Sequence, residues 1–276
     1  MEKILLVIGE NELDMPALDF ACYLGKVTHS TVTGIVLEDI QKQILTSAHG
    51  STSADWKADE PSSNDTRERH SIEAALSRFK HACEKRSVQC TVHRDSGIPA
   101  EEIVYESRFA DLIVMDAATS FHKSFEGSPT EFTKDILKDA ECPVIIAPES
   151  FYGLTDIVCT YDGSKSSAFA IKQFAYLFPE FEDKKMILLQ VNEDGKWTED
   201  EKQRWTEWSI NHYSSIGFQA LKGDVDERLF DYLFGRRNSM VVMGAYGRNS
   251  VSRFFKRSYA DRIIKTMTMP IFISHY

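Results

Sequence analysis

An apolar run, a polar turn and a helical pattern follow one another in Asp156-Ile-Val-Cys-Thr-Tyr-Asp-Gly-Ser-Lys-Ser-Ser-Ala-Phe-Ala170, and residues 3–17 repeat this order. Two later blocks also repeat: residues 111–115 match residues 239–243, and residues 142–147 match residues 269–274. Three matching blocks in the same order, at so long a period, indicate duplication of a whole domain and not a solenoid of short units.

The duplication predicts two similar domains, at about residues 1–148 and 154–276. The length of 276 residues is sufficient for two domains that each bury a core. The first copy is longer, and its excess falls at about residues 46–69, where Ser, Asp, Glu, Gly and Pro dominate. Such a composition buries too little apolar surface to offset the entropy of ordering, so we expect a mobile polar insertion there.

Short β-branched runs alternate with helical patterns in both copies. The runs predict strands at residues 4–8, 31–36, 90–93, 112–115 and 144–147, and again at 157–161, 186–191, 218–221, 240–243 and 271–274. Strands that alternate with helices imply right-handed crossovers and a parallel sheet with both faces covered. The predicted fold class is therefore α/β, with two tandem Rossmann-like domains, each an open five-stranded parallel sheet sandwiched by helices.

Composition narrows the environment and the partners. No stretch reaches the roughly 18 consecutive apolar residues of a membrane helix, so we expect no membrane partner. The sequence from Met1 leads into a strand without the apolar core of a signal peptide, so we expect a cytoplasmic protein. A formal net charge of -10 disfavours a nucleic-acid partner. Five cysteines without a C-x-x-C pair predict reduced thiols in the cores.

Two loops of the second copy follow strands and carry the candidate binding residues. Asp162 follows the first strand, where its carboxylate can accept from a ribose hydroxyl or an adenine amino group. Gly244 and Gly247 follow the fourth strand, where backbone N–H groups without a neighbouring Cβ approach phosphate oxygens closely, and Ser258 adds a hydroxyl donor. Two other interpretations stay open: glycine is common in turns at strand ends, and Asp162 can simply cap the following helix.

The motifs of the second copy resemble the universal stress proteins, in a tandem-domain form. The resemblance covers nearly the whole chain and rests on Asp-Gly-Ser-x-x-Ser-x-x-Ala at residues 162–170, Gly-Asp at 223–224, Val-Val-Met-Gly-Ala-Tyr-Gly-Arg at 241–248, and a last strand led by Pro270. It implies a cytoplasmic stress-response protein.

In the nucleotide-binding branch of that family, G-x-x-G is followed nine residues later by Gly and then Ser or Thr, and this pattern holds the phosphates and ribose of ATP. Gly244, Gly247 and Ser258 match it, but Arg257 replaces the third glycine. The Arg257 side chain either blocks a phosphate or replaces the lost amide contacts with a bidentate guanidinium. The resemblance also implies that backbone near Val191 holds adenine. Arg248 directly follows Gly247 in this motif and is also a candidate binding residue.

The first copy departs from this pattern. Gly9 stands where Asp162 would be, and Asp116 and Thr119 stand where Gly244 and Gly247 would be. An anionic Asp116 repels a phosphate, and Thr119 lacks the conformational freedom of glycine. We therefore expect no nucleotide in this half.

Other chemistry has little support in the sequence. Walker-type, nucleophile-elbow and H-E-x-x-H motifs are absent, and the eight histidines show no metal spacing, so we predict neither catalytic nor metal-binding residues, while a metal site assembled across the fold stays open.

The leading hypothesis is that the second domain binds an adenine nucleotide, ATP or AMP, with Mg²⁺ if ATP, and at most slow hydrolysis. Nucleotide level would then be coupled to an unknown protein partner. The alternatives are an interaction platform that has lost nucleotide binding and a hydrolase or transferase of phosphorylated small molecules. The resemblance further implies an internal pseudo-dimer in which residues 144–147 and 271–274 meet, and it leaves a homodimer open.

Overall fold

The structure is a computed structural model that describes residues 1–9, 13–39, 63–121, 126–244 and 257–274. The strands of the amino-terminal half are β1 (Lys3–Ile8), β2 (Thr31–Asp39), β3 (Cys90–Gly97), β4 (Leu112–Met115) and β5 (Val144–Ile146). Those of the carboxyl-terminal half are β6 (Asp156–Thr160), β7 (Lys185–Asn192), β8 (Ser215–Lys222), β9 (Ser239–Gly244) and β10 (Ile271–Ser274).

Helices connect these strands and cover the sheet. The α-helices of the amino-terminal half are α1 (Met15–Val27), α2 (Ser63–Lys85), α3 (Pro99–Glu106) and α4 (Glu131–Asp139). Those of the carboxyl-terminal half are α5 (Lys165–Leu177), α6 (Glu199–Ser209), α7 (Val225–Leu233) and α8 (Arg257–Thr266). Within the described ranges, none of the helices combines the length and the apolar character needed to span a bilayer.

The strands form one ten-stranded sheet in the order β3-β2-β1-β4-β5-β10-β9-β6-β7-β8. Within each half the strands are parallel, and the two halves join where β5 runs antiparallel to β10. Residues 144–146 and 271–273 are the partners across this seam, which is the contact expected from the sequence. The α/β class and the parallel five-stranded unit in each half agree with the prediction.

The hydrophobic core is divided by the faces of the sheet and not by the sequence repeat. At the seam Phe272 lies opposite Ile145, and both belong to a buried cluster that also contains Phe20 of α1 and Phe174 of α5. Ile273 lies opposite Val144 in a second cluster on the other face. Each face therefore buries side chains from both halves together, whereas the sequence had suggested two separate cores.

The segment between the halves is packed. The Phe151 ring lies 5.0 Å from Phe20 and 4.6 Å from Tyr23 of α1, measured between ring centroids. Leu154 is buried in the same cluster. This connection therefore adds to the core instead of acting as a free linker.

Several element boundaries differ from the prediction. Residues 46–62 of the expected polar insertion lie outside the described residues. Residues 63–69 belong to α2, which begins at Ser63. A polar composition does not prevent a helix when a later face packs, as Leu76 and Phe79 of α2 do. The outer strands β3 and β8 are longer than predicted, because their half-exposed polar residues lack the apolar signature of buried strands.

The cysteines are free thiols, as expected, and four of the five are buried. The Sγ atoms of Cys22 in α1 and Cys83 in α2 lie 3.7 Å apart.

Truncating Phe272 is expected to lower the free energy of unfolding by about 3–5 kcal/mol, because a buried aromatic ring is lost from a core shared by both halves. The Phe272 ring is 0% exposed and lies 5.1 Å from the ring of Phe174. Urea unfolding of Phe272→Ala, followed by circular dichroism, measures the change. Phe109→Ala is the control, since Phe109 is 60% exposed and should lose less than about 1 kcal/mol. Equal losses in the two variants would contradict the shared core.

Candidate functional site

The candidate site lies beyond the carboxyl ends of β6 and β9, which are neighbours in the sheet. The chain leaves β6 for α5, whose Phe174 packs on one face, and leaves β9 for α8, whose Ile263 packs on the other. A crevice forms where two adjacent strands send their connections to opposite faces, and this is the usual ligand position in open α/β sheets. Asp162 and Gly244 both lie at this crevice.

Asp162 is held by the loop that it belongs to. Its Oδ1 atom accepts hydrogen bonds from the Ser164 amide, at 2.9 Å, and from the Ser167 hydroxyl, at 2.8 Å. The Ser164 hydroxyl is the N-cap of α5 and accepts from the Ser167 amide at 3.1 Å. Gly163 has a φ of +81°, a conformation that favours glycine. The Asp-Gly-Ser-x-x-Ser motif therefore fixes one carboxylate at the head of α5.

These contacts refine the sequence interpretation. Asp162 does not cap α5 directly, since Ser164 does so, but it stabilises the turn that precedes the helix. The supporting roles of Ser164 and Ser167 were not singled out from the sequence. The signal for them was the spacing of Ser-x-x-Ser immediately after Asp-Gly, which is typical of a side chain that reaches back to its own helix start.

Gly244 is required by close packing. A Cβ atom at this position would lie 2.6 Å from the backbone carbon of Ser166 and 2.6 Å from the backbone nitrogen of Ser167. The first turn of α5 thus rests directly on the end of β9, where Gly244 pairs with Ser274. Gly244 belongs to the strand, not to a turn. Its lack of a side chain lets the first turn of α5 approach the end of β9.

The remaining predicted residues are described to different extents. Val191 lies in β7 opposite Leu221, and its side chain is buried in the core. Gly247 and Arg248 lie outside the described residues. Arg257 and Ser258 begin α8, and their side chains lie outside the described part of the chain.

An aromatic group next to the crevice had not been predicted. Tyr161, which directly precedes Asp162, stacks on Trp197 at 5.5 Å and meets Trp205 edge-on at 5.3 Å. The Trp197 indole donates a hydrogen bond to the Gln219 carbonyl at 2.9 Å. Burial raises the pKa of the Tyr161 hydroxyl. This group anchors the backbone on one side of Asp162.

The equivalent position in the amino-terminal half is covered by its own loop. A Cβ atom on Gly9 would lie 3.5 Å from the Ser120 carbonyl oxygen and 3.8 Å from Thr119 Cγ2. The loop is held by α4, because the Thr133 hydroxyl and the Thr130 amide each donate to the Ala117 carbonyl at 3.1 Å. The loop therefore lies against the end of β1 at Gly9.

This covered position is also electronegative. Burial raises the pKa of the Asp14 carboxyl, the Ala17 amide opposes the rise, and the charges of Asp116 and Asp19 add to it. Asp116 itself accepts a hydrogen bond from the Ala118 amide at 2.9 Å. Two neighbouring carboxylates disfavour an anionic ligand here.

Three comparisons place the chain among known proteins. No family model and no curated protein matches it. A universal stress protein structure from Archaeoglobus fulgidus DSM 4304 is similar over 99% of this chain and 98% of that chain, with a TM-score of 0.71 and 16% identity. A putative universal stress protein from Pseudomonas aeruginosa UCBPP-PA14 is similar over 100% of this chain and 93% of that chain, with a TM-score of 0.56 and 14% identity.

A half-length similarity is weaker. The universal stress protein from Archaeoglobus fulgidus in complex with dAMP covers 53% of this chain and 98% of that chain at 14% identity, but its TM-score of 0.36 is too low to bear on a ligand here. At such identities the two full-length matches show the fold. The resemblance expected from the sequence, to a tandem universal stress protein, is therefore confirmed at the level of the fold.

Adding a methyl group at Gly244 is expected to destabilise the protein by about 1–3 kcal/mol, because α5 and β9 must separate. Gly244→Ala and Gly217→Ala are compared by urea unfolding. Gly217 is the matched control, since a Cβ there would first meet the flexible Lys185 side chain at 3.4 Å. If both variants keep wild-type stability, the close approach at Gly244 does not constrain the crevice.

Removing the charge of Asp14 is expected to stabilise the protein at neutral pH by about 0.5 kcal/mol, the scale of one partly exposed charge interaction. Since the Asp14 pKa is raised in the folded state, its favourable contribution exists in acid and is lost as pH rises through the folded pKa. Asp14→Asn keeps a side-chain acceptor for the Ala17 amide.

The gain should therefore disappear at an acid pH below the raised pKa of the Asp14 carboxyl. Urea midpoints at both pH values test this, with Asp231→Asn on the exposed side of α7 as the control. A gain that is independent of pH would contradict the electrostatic explanation.

Proposed function

We propose that this chain is a tandem universal stress protein, with repeats at residues 1–148 and 154–276, and that its carboxyl-terminal repeat binds an adenine nucleotide. In this proposal it is a cytoplasmic stress-response protein that couples the level of ATP or AMP to an interaction with a protein partner. The full-length likeness to the Archaeoglobus fulgidus universal stress protein supports the fold on which the proposal rests.

The observation that carries the proposal is the fixed Asp162 carboxylate beside Gly244 at the crevice. Ser164 and Ser167 hold this carboxylate before any ligand arrives, so little side-chain entropy is lost when it accepts a hydrogen bond. A ribose hydroxyl or an adenine amino group is the donor that such an acceptor fits. The ligand class that follows is a nucleoside with an anionic tail.

The rest of the nucleotide would extend along the crevice. Adenine would meet the backbone near Val191 at the end of β7, and the phosphates would lie between the loop that contains Gly247 and Arg248 and the start of α8 at Ser258. A helix amino terminus favours anions through its unpaired N–H groups and its dipole. Mg²⁺ would accompany ATP and bridge its phosphates.

Arg257 is proposed to donate to a phosphate in place of the amide that a glycine would offer. A guanidinium supplies paired N–H donors that match phosphate oxygens. The two interpretations of this residue make opposite predictions: Arg257→Gly weakens nucleotide binding if the side chain is a ligand and strengthens it if the side chain obstructs the phosphates.

The proposed role is binding with at most slow ATP hydrolysis, and it is confined to one repeat. In the amino-terminal half, Thr119 and Ser120 cover Gly9, and Asp14 and Asp116 repel an anion. One nucleotide per chain is therefore expected.

Calorimetric titration of the nucleotide-stripped protein with ATP, ADP and AMP in the presence of Mg²⁺ tests the proposal. We expect saturable binding near one site per chain, weakened at least about tenfold in Asp162→Ala and in Gly247→Val. The first change removes a hydrogen-bond acceptor, and the second places a side chain where the phosphate must approach the backbone. Thr119→Val is the matched control, because Thr119 occupies the position of Gly247 in the other repeat and should leave binding unchanged.

Circular dichroism of each variant separates loss of binding from loss of folding. A folded wild-type protein that releases no heat with any of the three nucleotides would overturn the nucleotide site. The interaction platform that has lost nucleotide binding would then be the function to pursue.

A further inference from the structure

A second cluster of polar side chains lies far along the sheet from the crevice, on the outer strand of the amino-terminal half. His93 and Asp95 are two residues apart in β3, opposite Ile35 and Leu37 of β2, so both side chains lie on the face that α3 covers. Glu106 is the last residue of α3 and comes from above the same face. A strand and a helix thus bring together one imidazole and two carboxylates.

The ligand-type atoms of this cluster are close to one another. His93 Nε2 lies 3.6 Å from Asp95 Oδ2 and 3.7 Å from Glu106 Oε1. The three atoms all lie within 4.8 Å of one another. These separations are too long for direct hydrogen bonds, for which donor and acceptor lie about 2.7–3.2 Å apart.

The Nε2 atom of His93 is the unexplained feature of the cluster. It is buried and has no hydrogen-bond partner, although the His93 side chain as a whole is 36% exposed. A buried polar atom without a partner costs about 1–3 kcal/mol, so most are satisfied by a protein group or a ligand. Here the atom points between two carboxylate oxygens, and a cation placed among the three would satisfy it.

The Glu106 carboxylate is oriented so that one of its oxygens can also contact a cation. Its side chain is only 11% exposed, and its Oε2 atom lies 3.5 Å from Lys3 Nζ. Lys3 therefore balances part of the charge of Glu106 through one carboxylate oxygen, and the other oxygen faces His93. Fixing one oxygen by an outer partner orients the other toward a metal ion.

The surroundings carry surplus negative charge. The pKa of the Glu102 carboxyl is raised by its partial burial and by the nearby charges of Asp95, Glu101 and Glu106. A divalent cation near Asp95 and Glu106 would relieve this repulsion, and Lys3 alone does not.

We propose that His93, Asp95 and Glu106 form a binding site for Zn²⁺. Imidazole nitrogen and carboxylate oxygen are common zinc ligands, and three protein ligands leave a fourth position for water. Zinc–ligand bonds of about 2.0–2.2 Å in a tetrahedron separate the ligand atoms by about 3.3–3.6 Å. The two separations from His93 Nε2, 3.6 and 3.7 Å, are close to this range, and the two carboxylate oxygens lie within 4.8 Å of each other.

Binding of the ion is expected to cross-link two elements of the fold. The ion would join the outer strand β3 to the carboxyl end of α3, two elements that otherwise meet at the margin of the sheet. His93 and Asp95 are each more than one-third exposed, so the ion can enter from solvent.

Titration of the metal-free, full-length protein with Zn²⁺, in competition with a chromogenic chelator, tests the site. We expect one ion per chain, and affinities at least about tenfold weaker in His93→Gln and in Asp95→Asn, because each removes one of three ligands. His81→Gln is the matched control, since His81 is exposed on α2 and should keep wild-type affinity. These variants avoid buried Glu106, whose replacement could disturb folding.

Binding of Co²⁺ distinguishes this cluster from the buried thiols. The proposed site contains nitrogen and oxygen ligands, so the Co²⁺ complex should show visible ligand-field bands without the intense near-ultraviolet thiolate band. The site is refuted if the wild-type protein binds Zn²⁺ no more tightly than the His93→Gln variant does. It is also refuted if Co²⁺ binding shows thiolate absorption that persists in both variants.

Discussion

The antiparallel pairing of β5 with β10 is the contact on which the rest of the structure depends. It converts two parallel sheets into one and leaves β3 and β8 as the only outer strands among the described residues. Because side chains alternate along a strand, those of this seam enter the hydrophobic clusters on both faces. The helices of each half therefore pack on a sheet face to which both halves contribute side chains. Folding of either half as an isolated unit would expose the seam to solvent or to another chain.

The strands that were easiest to predict are those that the sheet buries on both faces. Runs such as those of β1 and β9 are apolar throughout, and their boundaries agree with the sequence to within a residue or two. The outer strands were underestimated because polar residues such as Arg94, Asp95 and Ser96, which follow the predicted end of β3, lack the apolar spacing of a buried strand. The start of α2 was missed for a similar reason, since its first turns are polar. The spacing of apolar residues indicates which residues are buried. It therefore predicts poorly the helices and strands that lie at the edge of the sheet, where few residues are buried.

For the candidate site as well, some features could be predicted from the sequence and others only from the structure. The sequence located Asp162 and Gly244, and topology brings them to one crevice. It did not reveal that Gly244 is a glycine because the Ser166–Ser167 backbone lies against it, since contacts between distant elements leave no local pattern. The cluster of His93, Asp95 and Glu106 was invisible for that reason as well: thirteen positions separate His93 from Glu106 in the chain, and only the packing of α3 on β3 joins them.

The packed connection between the halves has an evolutionary consequence. Phe151 packs the connection onto α1, and β5 pairs with β10 of the same chain, so the two halves meet as unlike partners. In an assembly of two identical chains, every substitution appears in both subunits, and selection must accept it twice. Fusion removes that restriction, and one repeat can change its crevice while the other retains an ancestral arrangement. The difference between Asp116 and Gly244, at equivalent positions of one chain, is a divergence that an assembly of two identical chains could not show.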